Sequence, residues 1–384
     1  MSGSIDTGLP GPRSVCRRVL FLSEIPTPYR LPLYRRLSEH PDLEVEVVFC
    51  AKGEPDRPWA LEQELAGIPH RILAGVHPRL RTRRNTFVYE INPGIVPLLL
   101  RSRPDVLVIG GYSVLAEQVA LALAPLLRIP FLVHSETHLH KPRRAPVAAA
   151  KRAVLPHILG RAAGGLSAGT LAADYLEAHG IPRERIRIFP NTIDIDAYRG
   201  AARAARKRAA EIRATRGLPE SYILFAGRLV EAKGLPELLE ALDRLGGAAP
   251  PLVVAGTGSL MSSLRGREGV HVVGFQGKNE LIELYALADW CVVPSRDEPW
   301  GVVVNEALAC GCPVIASNAV GAAADLVRDG IDGRIVPAGD VAALAEALAA
   351  VPPPGDVSLG PIARWTYEFG VAQLVEAVDL ACRG

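Results

Sequence analysis

Residues 294–313 read PSRDEPWGVVVNEALACGCP, with an apolar run Trp290–Val293 just before and Val314–Ala316 just after. Short β-branched runs around a small-residue segment that opens at Gly301 predict strand, loop, helix and strand, the repeating unit of a parallel α/β sheet. Two carboxylates, Glu298 and Glu306, bracket the start of that helix. A helix N-terminus offers unpaired N–H groups to an anion, and a carboxylate can accept from a vicinal diol. A polyhydroxyl, anionic ligand such as a sugar nucleotide fits that set. A glutamate pair alone carries little weight, since surface helices hold many, so the flanking residues decide.

Working outward, the same alternation continues in both directions. In the first half, strands are predicted at Arg18–Ser23, Glu44–Cys50, Val106–Ile109, Phe131–His134 and Ile186–Phe189, with helices at Leu31–Ser38 and Val114–Leu127. A second series starts at Ile223–Ala226 and continues through Leu252–Ala255, His271–Val273, Trp290–Val293, Val314–Ala316 and Gly333–Val336. Its helices are expected to begin near Pro236, Ser259, Glu280, Gly301 and Asp340. Two doubly wound units in tandem follow, one over 1–191 and the other over 192–360, with a terminal helix in 361–384 expected to return to the first. Such sheets place ligands at the carboxyl ends of their strands.

The 384 residues are 49% hydrophobic, 22% charged and 5% aromatic, an ordered α/β composition rather than a disordered or fibrous one. A net charge of +2 gives no global signal for nucleic acid, and none is expected as a partner. No signal-peptide pattern opens the sequence and no apolar run has the length of a membrane span, so a cytoplasmic protein is expected. The six cysteines are scattered and include a single Cys-x-Cys at Cys310 and Cys312, which suits reduced core thiols better than zinc.

Gly227, Arg228 and Lys233 lie in the loop after the strand Ile223–Ala226. Arg donates in a fork and Lys is a point charge, a combination suited to a diphosphate; the bland alternative is a loop with two solvated cations. Gly256 and Gly258 follow the next strand without completing a dinucleotide fingerprint, and Phe275 and Gln276 follow the one after. Each alone reads as a structural turn. Gly, Arg/Lys, Gly and Glu at four strand ends of one unit point to a ligand.

These runs, FAGRLVEAKG, VVAGTGSL, VVGF, ELYALADWCVVPS, EPWGVVVNEALACGCPVIAS and DLVRDGIDGRIVPAGD, with IFPNTIDIDAY upstream, resemble glycosyltransferase family 4, the group 1 retaining enzymes of GT-B fold. The resemblance implies sugar transfer from a nucleotide-sugar donor to an acceptor hydroxyl, with no cofactor and no metal. By position it implies that Arg228 and Lys233 hold the donor diphosphate and that Glu306 holds the ribose hydroxyls. Glu298 would lie by the donor sugar, with the backbone N–H groups of Trp300 and Gly301 nearby. Main-chain groups at Phe275 and Gln276 would meet the base. His134 in PFLVHSETH matches the family's strand-end histidine near the anomeric centre, with His138 and Glu136 as competitors. Asp194 and Asp196 read as helix entry and capping rather than as a metal site.

The chain also departs from the family pattern. Pro26 and Pro28 replace the usual glycine pair of the first strand–helix loop and have no N–H to donate, leaving Thr27 or Arg30 to substitute, or the loop to serve the acceptor. Thr192 stands for a glycine, and Asp325 for a common glutamate. Two basic stretches, His70 with Arg79, Arg81, Arg83 and Arg84, and Lys141 to Arg161, would suit a peripheral contact with an anionic membrane at its inner face. Arginine exposed on solvated helices explains them equally. Two rival functions use the same residues: a sugar-nucleotide epimerase or hydrolase, and a silent sugar-nucleotide-binding module.

Overall fold

Two parallel sheets organise the computed structural model, which describes residues 16–53, 62–81, 86–140, 145–350 and 359–383. Contact density divides the chain into one unit ending at Phe131, joined by residues from Ala381 onward, and a second spanning Leu132–Leu380.

The first unit contains β1 (Arg17–Ser23), α1 (Leu31–Ser38), β2 (Leu43–Phe49), α2 (Glu62–Leu65), β3 (His70–Ile72), β4 (Arg79–Arg81), β5 (Thr86–Val88), α3 (Ile95–Ser102), β6 (Val106–Ile109) and α4 (Leu115–Leu126). Near-continuous apolar runs such as Val19–Leu22 and Val106–Ile109 are buried throughout, as central parallel strands covered on both faces require. β1 pairs with β2 on one side and β6 on the other, Val19 standing opposite both Val45 and Val106. Pro32 near the start of α1 is tolerated because N–H groups there have no intrahelical acceptor. The Thr27 carbonyl accepts from the N–H groups of Arg30 and Leu31, so the Pro26–Arg30 segment closes as a tight turn.

After β7 (Phe131–Ser135), the second unit continues with α5 (Ala145–Leu159), β8 (Gly164–Ser167), α6 (Thr170–Ala178) and β9 (Ile186–Ile188). Next come α7 (Ile195–Lys207), α8 (Ala209–Arg216), β10 (Ile223–Ala226), α9 (Leu235–Leu245), β11 (Leu252–Ala255), β12 (Val270–Gly274) and α10 (Lys278–Leu287). It closes with β13 (Trp290–Val293), α11 (Val302–Ala309), β14 (Val314–Ser317), α12 (Gly321–Leu326), β15 (Gly333–Val336), α13 (Val341–Ala349) and α14 (Tyr367–Arg383). The strand orders are β3-β2-β1-β6-β7-β8-β9 and β12-β11-β10-β13-β14-β15. Both are doubly wound, with the order reversing beside β1 and beside β10. The fold class is therefore the expected GT-B type, two Rossmann-like parallel sheets.

One local expectation is corrected. The helix expected near Ser259 is a single 3₁₀ turn, Met261–Leu264, because Gly266 and Gly269 take left-handed backbone and stop propagation. Within the terminal segment 361–384, a 3₁₀ turn, Gly360–Arg364, leads into the helix α14. On α14, Gln373 Oε1 accepts from the Ile188 N–H at 3.3 Å, and Glu376 pairs with Arg187 at 2.8 Å, so this helix covers the β9 edge.

Candidate active site

The loop after β10 carries the two cations. Gly234 takes φ +74°, and a Cβ there would collide with the Pro294 carbonyl oxygen. Only glycine lets the two strand-end loops approach so closely. That approach carries Lys233, at the end of the 3₁₀ turn Glu231–Lys233, onto the loop after β13, where its Nζ pairs with Glu298 Oε2. Ser295 Oγ donates to the same oxygen at 3.4 Å. The Glu298 backbone is fixed independently: its N–H donates to Ala319 O at 3.2 Å, and its carbonyl accepts from Gly321 at 3.1 Å.

Arg228 differs from Lys233. It is exposed and has no side-chain partner among the described residues. The glycines around it serve backbone packing. The Gly227 N–H donates to Ala255 O at 2.9 Å, and a Cβ on Gly256 would strike Gly227 O. A Cβ on Gly258 would strike Leu229 O. Thus Gly256 and Gly258 hold the β11 loop against the arginine-bearing loop.

Gly301 precedes α11 at φ +93°, and no side chain caps that helix. Its first-turn N–H groups therefore present positive partial charge from Val302 onward, two residues beyond Trp300 and four beyond Glu298. Trp300 is buried, stacks on Trp365 at 5.4 Å, and donates from Nε1 to Asn305 Oδ1 at 2.9 Å. Glu306, partly buried on α11, accepts from two phenols: Tyr198 OH at 3.1 Å on Oε1 and Tyr285 OH at 2.9 Å on Oε2. Burial pushes the Glu306 carboxyl above the usual carboxylate range, opposed by the hydrogen bonds from Tyr285 and Tyr198 and by the charge of Lys278.

Phe275 is 63% exposed at the end of β12. The Gln276 amide is tied down: its Oε1 accepts from Arg216 and its Nε2 donates to Val273 O at 2.6 Å. That leaves main-chain groups as the means by which this corner could read a base.

His134 is buried in β7, edge-on to Phe189 at 5.8 Å. His138, also buried, has Nε2 3.8 Å from Oδ1 of Asp297, the residue next to Glu298. His138 thus lies against the glutamate loop. Asp194 caps α7, accepting from Ala197 N–H at 3.0 Å. Asp325 accepts from the Thr170 N–H at 2.9 Å and from its hydroxyl, anchoring the start of α6 to α12.

The structure thus brings Lys233, Glu298 and the α11 start together, leaves Arg228 exposed, and seats Glu306 between two tyrosines. Tyr198, Tyr285, Asp297, Asn305 and Trp365 escaped the sequence reading. Tyr198 and Tyr285 fall inside the quoted runs IFPNTIDIDAY and ELYALADW, yet nothing local marks their hydroxyls as partners of a glutamate so far along the chain. Of the basic residues, Arg83, Arg84, Lys141, Arg143 and Arg144 lie outside the described residues, while Arg152 and Arg161 are exposed. Among the described residues, no helix is long and apolar enough to cross a membrane.

Known proteins fit this geometry. The family described as "Glycosyl transferases group 1" matches residues 209–351, and the "Glycosyl transferase 4-like domain" matches residues 26–192. A D-inositol 3-phosphate glycosyltransferase of Xylanimonas cellulosilytica is 31% identical over 192 residues, covering 47% of this chain and 46% of that protein. One from Mycobacterium tuberculosis is 35% identical over 192 residues, covering 46% of this chain and 38% of that protein. The matched stretch thus spans less than half the length of either relative. Anabaena HepE in complex with UDP has the same fold at TM-score 0.70 and 19% identity, over 94% of this chain and 99% of that one. Sucrose-phosphate synthase from Thermosynechococcus elongatus follows at TM-score 0.63 and 20% identity, over 95% and 97%. With two family domains in the expected order on a GT-B fold, the chain belongs to the group 1 glycosyltransferases of family 4.

Proposed function

We propose that the chain transfers a sugar from a nucleotide-sugar donor to an acceptor hydroxyl with retention of anomeric configuration. The observation that carries this reading is the meeting of Lys233, Glu298 and the uncapped start of α11, with Arg228 in the same loop as Lys233 exposed and without a side-chain partner among the described residues. Breaking a sugar–diphosphate bond adds negative charge to the leaving phosphate. Arg228, Lys233 and the α11 N–H groups are preplaced to stabilise it, a task a metal ion performs elsewhere. The reaction is accordingly proposed to need no metal, and transfer surviving chelation by EDTA would support that. On this reading Lys233 exchanges Glu298 for the diphosphate, which frees the carboxylate for sugar hydroxyls, while Glu306 takes the ribose diol. Gly227, Gly256 and Gly258 shape the loops, and main-chain groups at Phe275 and Gln276 face the base. His134 sits on the donor-sugar side, with His138 steadying the Glu298 loop through Asp297.

Acceptor attack on the face the phosphate leaves retains configuration, and the departing phosphate takes the acceptor proton. The acceptor on this reading is a hydroxyl of a glycan, glycolipid or small metabolite. A cytoplasmic location with peripheral contact to an anionic inner leaflet, through exposed residues such as Arg152 and Arg161, is part of the proposal; absence of co-sedimentation with anionic vesicles would remove that part. The central test incubates the protein with UDP-, ADP- and GDP-sugars and hydroxyl acceptors, reading nucleotide release and the product anomer by NMR. Acceptor-dependent release with a retained anomer is expected. Donor consumption without an acceptor product would replace transfer by epimerisation or hydrolysis.

A further inference from the structure

We infer that Tyr198 and Tyr285 are positioning residues for the donor nucleotide, holding the Glu306 carboxylate in the one plane and charge state in which it can accept both hydroxyls of a ribose. The inference rests on the reading of Glu306 as the ribose-holding carboxylate.

The geometry is that of a two-sided clamp. Tyr198 on α7 donates to Oε1 and Tyr285 on α10 donates to Oε2, at 3.1 and 2.9 Å. The phenols come from two different helices, so neither rotation nor withdrawal of one helix alone preserves the plane. An ionised carboxylate offers about four acceptor directions over its two oxygens. The phenols use one on each oxygen, and one on each remains. A vicinal diol needs such a pair of acceptors, one per hydroxyl. Both rings are buried, Tyr285 completely, so their hydroxyls are not free to exchange Glu306 for water.

Charge points the same way. Burial first, and the Glu306 charge second, push both phenols up, so each stays a donor rather than a competing anion. Around the carboxylate, Lys278 on α10 lies 4.9 Å over the Tyr198 ring and favours the ionised form. Cys291 on β13 and Cys310 at the end of α11 are neutral thiols, pushed up chiefly by burial, as is Cys312 beside them. Arg206 on α7 is spent on the Cys310 carbonyl at 2.6 Å, and the charge of Tyr367 acts on Tyr198. The two phenols are therefore the only hydrogen-bond donors recorded on Glu306 among the described residues. Without either one, the carboxylate would gain its proton at higher pH and would then offer one acceptor fewer to a diol.

The test compares UDP with 2′,3′-dideoxy-UDP by calorimetry on the full chain from about pH 5 to 8, with the ADP and GDP pairs run alongside. The parent is expected to prefer the diol by about 10- to 100-fold. Glu306→Gln should erase most of that ratio. Tyr198→Phe and Tyr285→Phe, which keep their rings, should each lower it about tenfold near neutrality. Each should also move its acid-side midpoint to higher pH, because a hydrogen bond that favours the ionised carboxylate is lost. A purely structural role would weaken both nucleotides alike and leave the ratio and its midpoint in place. A ratio abolished by Glu306→Gln but kept, with the parent's midpoint, in both tyrosine variants would overturn the positioning role alone. A parent that ignores the diol, or a ratio untouched by Glu306→Gln, would overturn the ribose reading beneath it. Because the tyrosines stand on separate helices, one variant that fails to fold leaves the other to decide.

Discussion

Replacing Arg228 by alanine separates catalysis from folding more cleanly than any other change in this site. Arg228 is exposed and makes no side-chain hydrogen bond or ion pair among the described residues, so its loss should alter stability by no more than about 0.5 kcal/mol. A charge-assisted hydrogen bond to a bound diphosphate is worth about 1.5–3 kcal/mol, which predicts nucleoside diphosphate binding weakened by about 10- to 150-fold. The leaving phosphate gains charge as the glycosidic bond breaks, and a donor aimed at developing charge contributes about 2.7–4 kcal/mol. At 1.36 kcal/mol per factor of ten, kcat/KM should fall by about 100- to 1000-fold. Arg228→Lys keeps the charge but not the forked donor and should fall between parent and alanine variant. The assay is steady-state transfer with nucleotide titration and a melting curve on the same preparations. If kcat/KM stays within about threefold of the parent while the fold is intact, Arg228 does not hold the diphosphate and the electrostatic argument fails at its most exposed point.

Lys233→Ala should act differently, because it strips Glu298 of its ion-pair partner: Tm should drop by several degrees alongside a loss of turnover comparable to that of Arg228→Ala, and an unchanged Tm would mean the pair is not formed in solution. Gly234→Ala should cost about 2–4 kcal/mol, since φ is +74° and the new Cβ meets the Pro294 carbonyl; a melting curve like the parent's would refute the close approach. In the first unit, burial and then the charge of Glu24 raise Glu117 from 4.5 to about 8, opposed by hydrogen bonds from the Ser113 and Val114 N–H groups. The folded state then binds the extra proton, so this residue's contribution to stability is lost as pH rises from about 4.5 to about 8. Glu117→Gln should remove that slope and raise Tm by about 5 °C at pH 8 but little at pH 5, whereas parallel melting profiles for the two proteins would contradict the raised value.

The architecture was legible because most of its parallel strands are apolar runs of four to seven residues separated by helical patterns, and parallel sheets buried on both faces print that signal plainly. β8 was missed because Gly164-Gly165-Leu166-Ser167 carries neither alternation nor β-branched residues. Its glycines have a packing cause: a Cβ on Gly164 would press on the Arg185 carbonyl, and one on Gly165 on Leu176. The short β4–β5 hairpin was missed for want of a tight-turn signature. In the site, residues within one loop were found by spacing. Contacts between distant segments were not, since 108 residues separate Tyr198 from Glu306 and no periodicity spans such a gap.

The same long-range logic explains Thr192, which stands where the family has a glycine. Its hydroxyl donates to the Trp365 carbonyl, and the Trp365 ring stacks on Trp300 with planes 9° apart. Trp300 Nε1 donates to Asn305 Oδ1, and Asn305 Nδ2 returns to the carbonyl of Asn191, beside Thr192, at 3.3 Å. All five residues are buried, so each polar group must find its partner within the protein or be left at a cost of about 1–3 kcal/mol. A glycine at 192 could not anchor the Trp365 carbonyl, and the indole that carpets Trp300 would lose one of its restraints. Trp300 in turn precedes Gly301, whose backbone sets where the α11 N–H groups point. The threonine therefore belongs to the electrostatics of the donor site without touching a donor: it steadies the helix start that is proposed to meet the phosphate, through two indoles and an asparagine that no single motif contains.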